Sequence, residues 1–448
     1  MRAAVVGGGL AGCSAALELA AAGAEVTLVR AGPGATALGW GTLDVAAASP
    51  LRRGGLPLRD DPGGAPLAPS RRLERAALAS PARAHPPHPY ALLWQGGREP
   101  EVEGKEAVAA LDGWLAPSGL RVKGSLAQTR WLADVHGALR ASDLAFSGAG
   151  DGDLGEAEEI ALVELPGLAG YEPRAALRAL VAELAAVGCG GQGLQLLRLE
   201  LPAALRALAA TPARLARALE DPAAQEALRP ALAGSGGERR LLLFPPVLGL
   251  EGVERVCAWA RAAAGCRVAE LVGSPALALA GWRLDQALQA ALARAGVAVR
   301  PARARAVERR GPRAEALRVA DGEGEERLAF DALVLAGGRF VGGGLTEREG
   351  VLCEPLLELP LFDLGGQRVD GVSPRRLVRR DYEGEQPLFA AGVSTDTRLR
   401  PRGADGAPLA NVFAAGDLLG GFDPARDRTG LGVALLTGRR AGREAARC

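Results

Sequence analysis

The glycine cluster Gly7-Gly8-Gly9-Leu10-Ala11-Gly12 constrains this chain most, because of what stands on either side of it. An apolar run, Ala3-Ala4-Val5-Val6, precedes it, and an Ala-rich helical pattern follows until Gly23. A second apolar run, Val26-Thr27-Leu28-Val29, comes next. The order is strand, glycine turn, helix, strand, with G-x-G-x-x-G where the first strand becomes the helix. Each glycine then has a task. Gly7 permits a tight turn, Gly9 lets the backbone approach a pyrophosphate, and Gly12 lets helix and strand pack closely. Free N–H groups at the helix start attract an anionic phosphate. A glycine-rich structural turn is the plain alternative. In this context Gly7, Gly9, Leu10, Ala11 and Gly12 are candidate contacts to a nucleotide or flavin.

The rest of the composition mainly excludes. At 448 residues the chain predicts two or three domains. Its 53 basic residues, of which only Lys105 and Lys123 are lysines, balance 52 acidic ones. A net charge of +1 supplies no field for nucleic acid, so no nucleic-acid partner is expected. Cys13, Cys189, Cys257, Cys266, Cys353 and Cys448 show no C-x-x-C spacing. That pattern predicts neither an iron–sulfur cluster nor a zinc site, and it suits a reducing cytoplasm. His85, His88 and His136 are too few for a histidine-rich site, so no metal is expected. No run of 18 apolar residues predicts a membrane span, and the glycines argue against a signal peptide at the start.

Residues 50–90 are rich in Pro, Arg and Gly and read as an irregular excursion. Leucines at helical spacing over Arg174–Val187 and Ala203–Leu232 predict helices, the latter bounded by Pro202, Pro212, Pro222 and Pro230. Arg283–Ala295 reads as an amphipathic helix, Val297–Val299 as a strand, and residues around Gly311-Pro312 and Asp321-Gly322 as a charged hairpin. The run Ala332–Ala336 ends at Gly337-Gly338, as a buried parallel strand facing a ligand would. Residues 345–405 lack clear periodicity. The expected fold is α/β: a three-layer Rossmann-like flavin-binding domain from 1–50, 270–345 and 405–448, with an inserted α+β domain from 51–269 and 346–404.

Asn411–Ala415 reads as a strand ending in Gly416-Asp417. Gly420-Gly421-Phe422-Asp423-Pro424 follows, and then Thr429-Gly430-Leu431-Gly432, opening a last helix. Gly416 at the strand tip lets a ribityl chain lie close, and Asp417 can accept its hydroxyls. A helix start at Gly430 and Gly432 can stabilise negative charge on a reduced flavin. The plain alternative is a β–α connection with an Asp cap.

With these pieces in place the chain resembles the flavoprotein superfamily of fumarate reductases and glycerol-3-phosphate dehydrogenases. Within it, the likeness is strongest to the B-subunit family of the anaerobic glycerol-3-phosphate dehydrogenases. The resemblance is carried by Gly7–Gly12, Gly41-Thr42-Leu43-Asp44, Pro245 with Gly249-Leu250-Glu251, Gly338-Arg339-Phe340 and Gly420–Pro424. It implies a complex in which a second, FAD-containing subunit and an iron–sulfur membrane-anchor subunit are the partners. Together they oxidise sn-glycerol 3-phosphate to dihydroxyacetone phosphate and reduce a quinone, at the inner, cytoplasmic face of the cell membrane. It also implies FMN in this chain, with FAD in the partner, and a flavin contact for Gly41 and Thr42.

One position departs from the common dinucleotide pattern. The second strand ends in Arg30, where Glu or Asp normally bonds a ribose, and an Arg cannot accept hydrogen bonds. Three readings follow: FMN, with no second ribose; FAD held by other contacts; or NADP, its 2′-phosphate met by Arg30. A solvated strand-end charge is the plain alternative. FMN is put first, with FAD as the alternative. Arg339, Arg426 and Arg428 are candidates to hold an anionic substrate or dock a partner. No catalytic base is named: His85 and His88 read as residues of a Pro-rich loop, and His136 as part of a helix. The rival readings are a stand-alone fumarate-reductase-type oxidoreductase and a non-catalytic scaffold subunit.

Overall fold

The apolar run after Met1 forms β1 (Arg2–Val6), which enters α1 (Leu10–Ala21) and returns as β2 (Glu25–Val29). The computed structural model describes residues 1–45, 87–94, 100–186, 193–273, 278–381, 386–427 and 429–448. Further along come β3 (Ala298–Arg300), β4 (Ala332–Leu335), β5 (Val412–Ala414) and α2 (Gly430–Ala445). The five strands make one parallel sheet in the order β3-β2-β1-β4-β5. Strands buried on both faces need unbroken aliphatic runs, which is why Ala4, Val5, Leu333 and Val334 are fully buried. The chain steps outward from β1 to β3, then crosses back to β4. The strand order therefore reverses beside β1, and in open α/β sheets that reversal opens a crevice at the strands' C-terminal ends.

Backbone contacts group the chain into two units. The first holds 1–36, the described residues of 87–111, and 288–448; the second holds the described residues of 37–45 and 112–287. The expected boundaries near 50 and 270 thus fall near 36 and 288. Residues 346–404, expected with the inserted domain, belong to the first unit instead. Long-range pairing puts them there. Leu361–Phe362 pairs with Gly392–Val393, Val393 bridges Leu419, and the Ala414 amide donates to Leu399 O at 2.8 Å. Between β3 and β4 the expected hairpin is a three-stranded antiparallel sheet, Arg303–Arg310, Arg313–Ala320 and Glu325–Ala329.

Within the first unit α2 lies directly on α1. Gly438 and Gly442 make this possible, because a Cβ at either would run into the Ala11 or Ala15 carbonyl. Glu18 then receives Arg443 at 2.9 Å and Arg439 beside it.

The second unit is built on a four-stranded parallel sheet, in the order Arg267–Glu270, Arg240–Phe244, Glu159–Glu164, Gly193–Arg198. Short antiparallel pairs accompany it, among them Thr42–Leu43 with Leu144–Phe146. The predicted helices appear at Pro173–Ala186 and, broken at the prolines, at Ala203–Arg206, Pro212–Ala218 and Pro222–Leu232. Deep inside, Arg283 grips Glu270 through both guanidinium ends, at 2.6 and 3.0 Å, and also donates to Gly249 O. Glu270 in turn accepts the Leu248 amide at 2.6 Å. Glu220 Oε1 accepts the amides of Leu250, Glu251 and Gly252. The Gly249-Leu250-Glu251 segment is thus a loop pinned by two buried or half-buried carboxylates.

Candidate functional site

The glycine turn sits where the strand order reverses. Gly7 has φ +111°, and a Cβ there would strike the Ala336 carbonyl at the end of β4. A Cβ on Gly12 would strike Gly7 O. Both positions therefore exclude any side chain, and the turn passes between β1 and β4 with its backbone bare. The Leu10 amide at the start of α1 donates to Thr36 Oγ1 at 2.9 Å, and the same hydroxyl would be 3.2 Å from a Cβ on Gly9. Thr36 is a candidate that sequence reasoning missed; the Gly34-Ala35-Thr36 turn carried no pattern. Arg30 lies over this loop. A Cβ on Gly8 would be 2.8 Å from its Cδ and Nε, and Nε donates to Gly32 O at 3.2 Å.

A second group of candidates meets the first from β5. Gly416, at φ +69°, would bring a Cβ within 2.8 Å of the Ala11 Cβ, and its amide donates to Thr437 Oγ1 at 2.9 Å. Asp417 Oδ1 is shut from solvent without a hydrogen-bond partner, as is Thr429 Oγ1 just before α2. Burial raises the Asp417 carboxyl above its ordinary range, and the Arg339 charge opposes this. A Cβ on Gly430 would stand 4.0 Å from Asp417 Oδ1, which puts the start of α2, with Gly432 in its first turn, beside that carboxylate. Gly337 and Gly338 complete the edge: a Cβ on Gly7 would be 3.0 Å from the Gly337 amide, and Gly338 has φ +67°.

Native interiors satisfy most buried polar atoms, so an unpartnered carboxylate and hydroxyl beside a bare glycine turn and a helix start suit a polar ligand. The set here is specific in kind. A bare turn with helix amides suits a pyrophosphate. A buried carboxylate acceptor and a hydroxyl suit a polyhydroxyl chain, and a 16-residue helix N-terminus suits developing negative charge. These residues fit a flavin. Asp417→Asn tests the point with two opposite signs. Ionising a carboxyl whose folded pKa is raised opposes folding as pH climbs above its unfolded value near ~4. The Asn variant is thus expected to melt higher than the parent at neutral pH without flavin. It is also expected to bind flavin about tenfold to a hundredfold more weakly, the worth of one charge-assisted hydrogen bond. Thermal melts with and without added flavin check both, and an unchanged affinity would remove Asp417 from the site.

Not every expected residue lies in this cluster. Gly41 and Thr42 fall in the second unit, where Thr42 pairs with Ala145. His85, Arg428 and the Arg426 side chain lie outside the described residues. His136 is in an exposed turn between two strands rather than a helix. His88, expected in an exposed loop, is 1% exposed. It opens helix Pro89–Trp94, with its ring edge-on to Tyr90 and to Phe422.

A family model described as FAD binding domain matches residues 2–433. A protein named as the B subunit of an anaerobic glycerol-3-phosphate dehydrogenase, from Pectobacterium carotovorum, is 30% identical, covering 97% of this chain and 95% of its own. Its namesake from Yersinia pseudotuberculosis is 28% identical with the same two coverages. Among solved structures, a flavocytochrome c3 fumarate reductase in its open conformation aligns with a TM-score of 0.45 at 13% identity, over 100% of this chain and 78% of that one. The chain is thus a flavin-binding protein, and the family model favours FAD over the FMN put first from the sequence. The structural reason concerns Arg30. Its stem lies against Gly8 and its Nε donates to Gly32 O, so the residue braces the glycine loop itself.

Proposed function

This chain belongs to the FAD binding domain family, together with the B subunits of anaerobic glycerol-3-phosphate dehydrogenases, and from that premise we propose that it serves as the flavoprotein B subunit of a quinone-linked sn-glycerol-3-phosphate dehydrogenase. Its cofactor in this reading is FAD. Ala11, Gly12 and the bare Gly7–Gly9 turn hold the pyrophosphate, with Thr36 fixing the loop around it. Arg30 clamps that loop from above. Asp417 and Thr429 take ribityl hydroxyls, and the start of α2 at Gly430–Gly432 offsets negative charge. Gly337, Gly338 and Gly416 keep the crevice open by presenting no side chain. Gly41 and Thr42 remain flavin-contact candidates of the second unit. The bound flavin supplies a two-electron acceptor that can pass electrons on singly.

Within the complex the chain stands between two partners. A second, FAD-containing subunit oxidises glycerol 3-phosphate to dihydroxyacetone phosphate, and an iron–sulfur subunit delivers the electrons to quinone at the inner face of the cell membrane. Among the described residues no helix is long and apolar enough to cross a membrane, which suits attachment through that partner. The relay role also agrees with the state of His88. Its Nδ1 accepts the Tyr90 amide at 3.1 Å, and burial lowers its pKa to about 3, so it takes no proton from an alcohol near neutral pH.

The observation that carries this reading is likeness to the named B subunits over nearly the whole of both chains. Flavin extraction followed by chromatography tests the cofactor, and dye reduction tests the role. The purified chain is expected to release FAD and to leave dye oxidised with glycerol 3-phosphate until the two partners are added. Colourless protein, FMN in the extract, or turnover of glycerol 3-phosphate or fumarate by the lone chain would each overturn it.

A further inference from the structure

Two buried side chains that share the Phe422 ring have hydrogen-bond donors that nothing among the described residues accepts. Arg339 follows Gly337-Gly338 past the end of β4 and is 7% exposed. Its Nη2 donates to Leu419 O at 3.0 Å and to Phe422 O at 2.9 Å, while Nε and Nη1 have no partner. His88 accepts the Tyr90 amide at Nδ1, which assigns the proton of its neutral ring to Nε2, and Nε2 is likewise unpartnered. Both groups pack against one ring. The Arg339 Cζ is 5.0 Å from the Phe422 centroid, and the His88 centroid is 5.6 Å from it.

We infer that Arg339 and His88 donate to the electron-rich edge of the bound isoalloxazine and thereby raise its reduction potential; the inference rests on the FAD reading above. A buried donor left unmade is costly, and more so when charged, so two such groups around one ring call for a ligand. Every orphaned atom of this pair is a donor. The missing partner must therefore present acceptors, and the flavin's ring nitrogens and carbonyls lie along one planar edge.

A second phosphate or carboxylate would also accept, and the cofactor content and flavin spectrum of the variants tell it from the flavin edge. Asp417, Asp423 and Asp427 all act on Arg339 and offset part of its charge. Burial lowers the pKa of Arg339, which marks how strongly this guanidinium is desolvated. A desolvated cation beside the flavin favours the reduced form, which carries more negative charge. His88, with its pKa near 3, stays neutral at working pH and acts as a donor alone.

The test uses the FAD-loaded protein equilibrated with a reference dye, with FAD content and the flavin absorption spectrum read in parallel. Arg339→Met is expected to keep its FAD and to shift the dye equilibrium at least tenfold toward oxidised flavin. For a two-electron couple that is about 30 mV. Arg339→Lys, which restores a cation, is expected to recover part of the shift, and a purely structural role would not respond to charge in this way. His88→Phe is expected to give a smaller shift of the same sign with a displaced flavin absorption band. The inference fails if the variants hold FAD with unchanged potential and spectrum. It fails equally if both Arg339 variants lose FAD while remaining folded, since the side chain then belongs to the phosphate cradle. Parent protein that takes up no FAD sinks the underlying cofactor reading instead, and the two failures are told apart by the extract.

Discussion

Gly7→Ala, the smallest possible side chain at that position, is expected to yield protein that loses FAD on gel filtration and unfolds at markedly lower urea. Two separate costs add. At φ +111° a residue with a Cβ is strained, and the new methyl would be driven into the Ala336 carbonyl. Strain and overpacking are each worth about 1–3 kcal/mol, so a loss of roughly 2–6 kcal/mol follows. The binding defect has its own cause. Moving Gly7 away from β4 displaces Gly9 and the α1 amides together, because Gly12 is already against Gly7 O. Urea midpoints and FAD content measure the two effects independently. A variant that binds FAD normally would mean that the turn is no cradle.

Arg283→Met has the second large effect, in the other unit. It strands Glu270, whose side chain is 2% exposed, as a buried carboxylate with no counter-ion. Breaking one member of such a pair costs about 3–5 kcal/mol. It also frees the Gly249 carbonyl and loosens the loop that Glu270 and Glu220 hold. The paired replacement Arg283→Met with Glu270→Leu is expected to recover most of that loss, because similar apolar volumes can replace a buried ion pair at little cost. Denaturation of parent, single and double variants measures the coupling. A double variant no better than the single would show that the pair's worth lies in its backbone contacts.

The elements legible in the sequence are those with a strong local signal. β1, α1, β2 and β4 are aliphatic runs or Ala-rich turns punctuated by glycine, and each appears within a residue or two of its expected place. The strand before Gly416 and Asp417 was legible because an apolar run ending in Gly-Asp is itself a local pattern. What was hidden depended on distant pairing. Residues 346–404 carry strands of two or three residues, too short for any periodicity, and their allegiance is decided by partners such as Leu419 and Ala414. His88 sits in a Pro-rich stretch that reads as exposed, yet Phe422, more than 300 residues later, packs against it together with Tyr90. Thr36 was hidden for a similar reason, since its hydroxyl matters only through the Leu10 amide.

The glycine stripe of α2 also dictates when the cofactor pocket can exist. Glu18 waits for Arg439, 421 residues further along, and Ala11 waits for Gly438. On the ribosome this βαβ therefore emerges without the helix that covers it, and stays so until the 421 residues that separate Glu18 from Arg439 have been made. Contacts of such long separation form slowly, with apolar surface bared meanwhile. Flavin capture thus waits for α2, and a product interrupted before it would be a client for chaperones or proteases rather than a flavin-loaded protein.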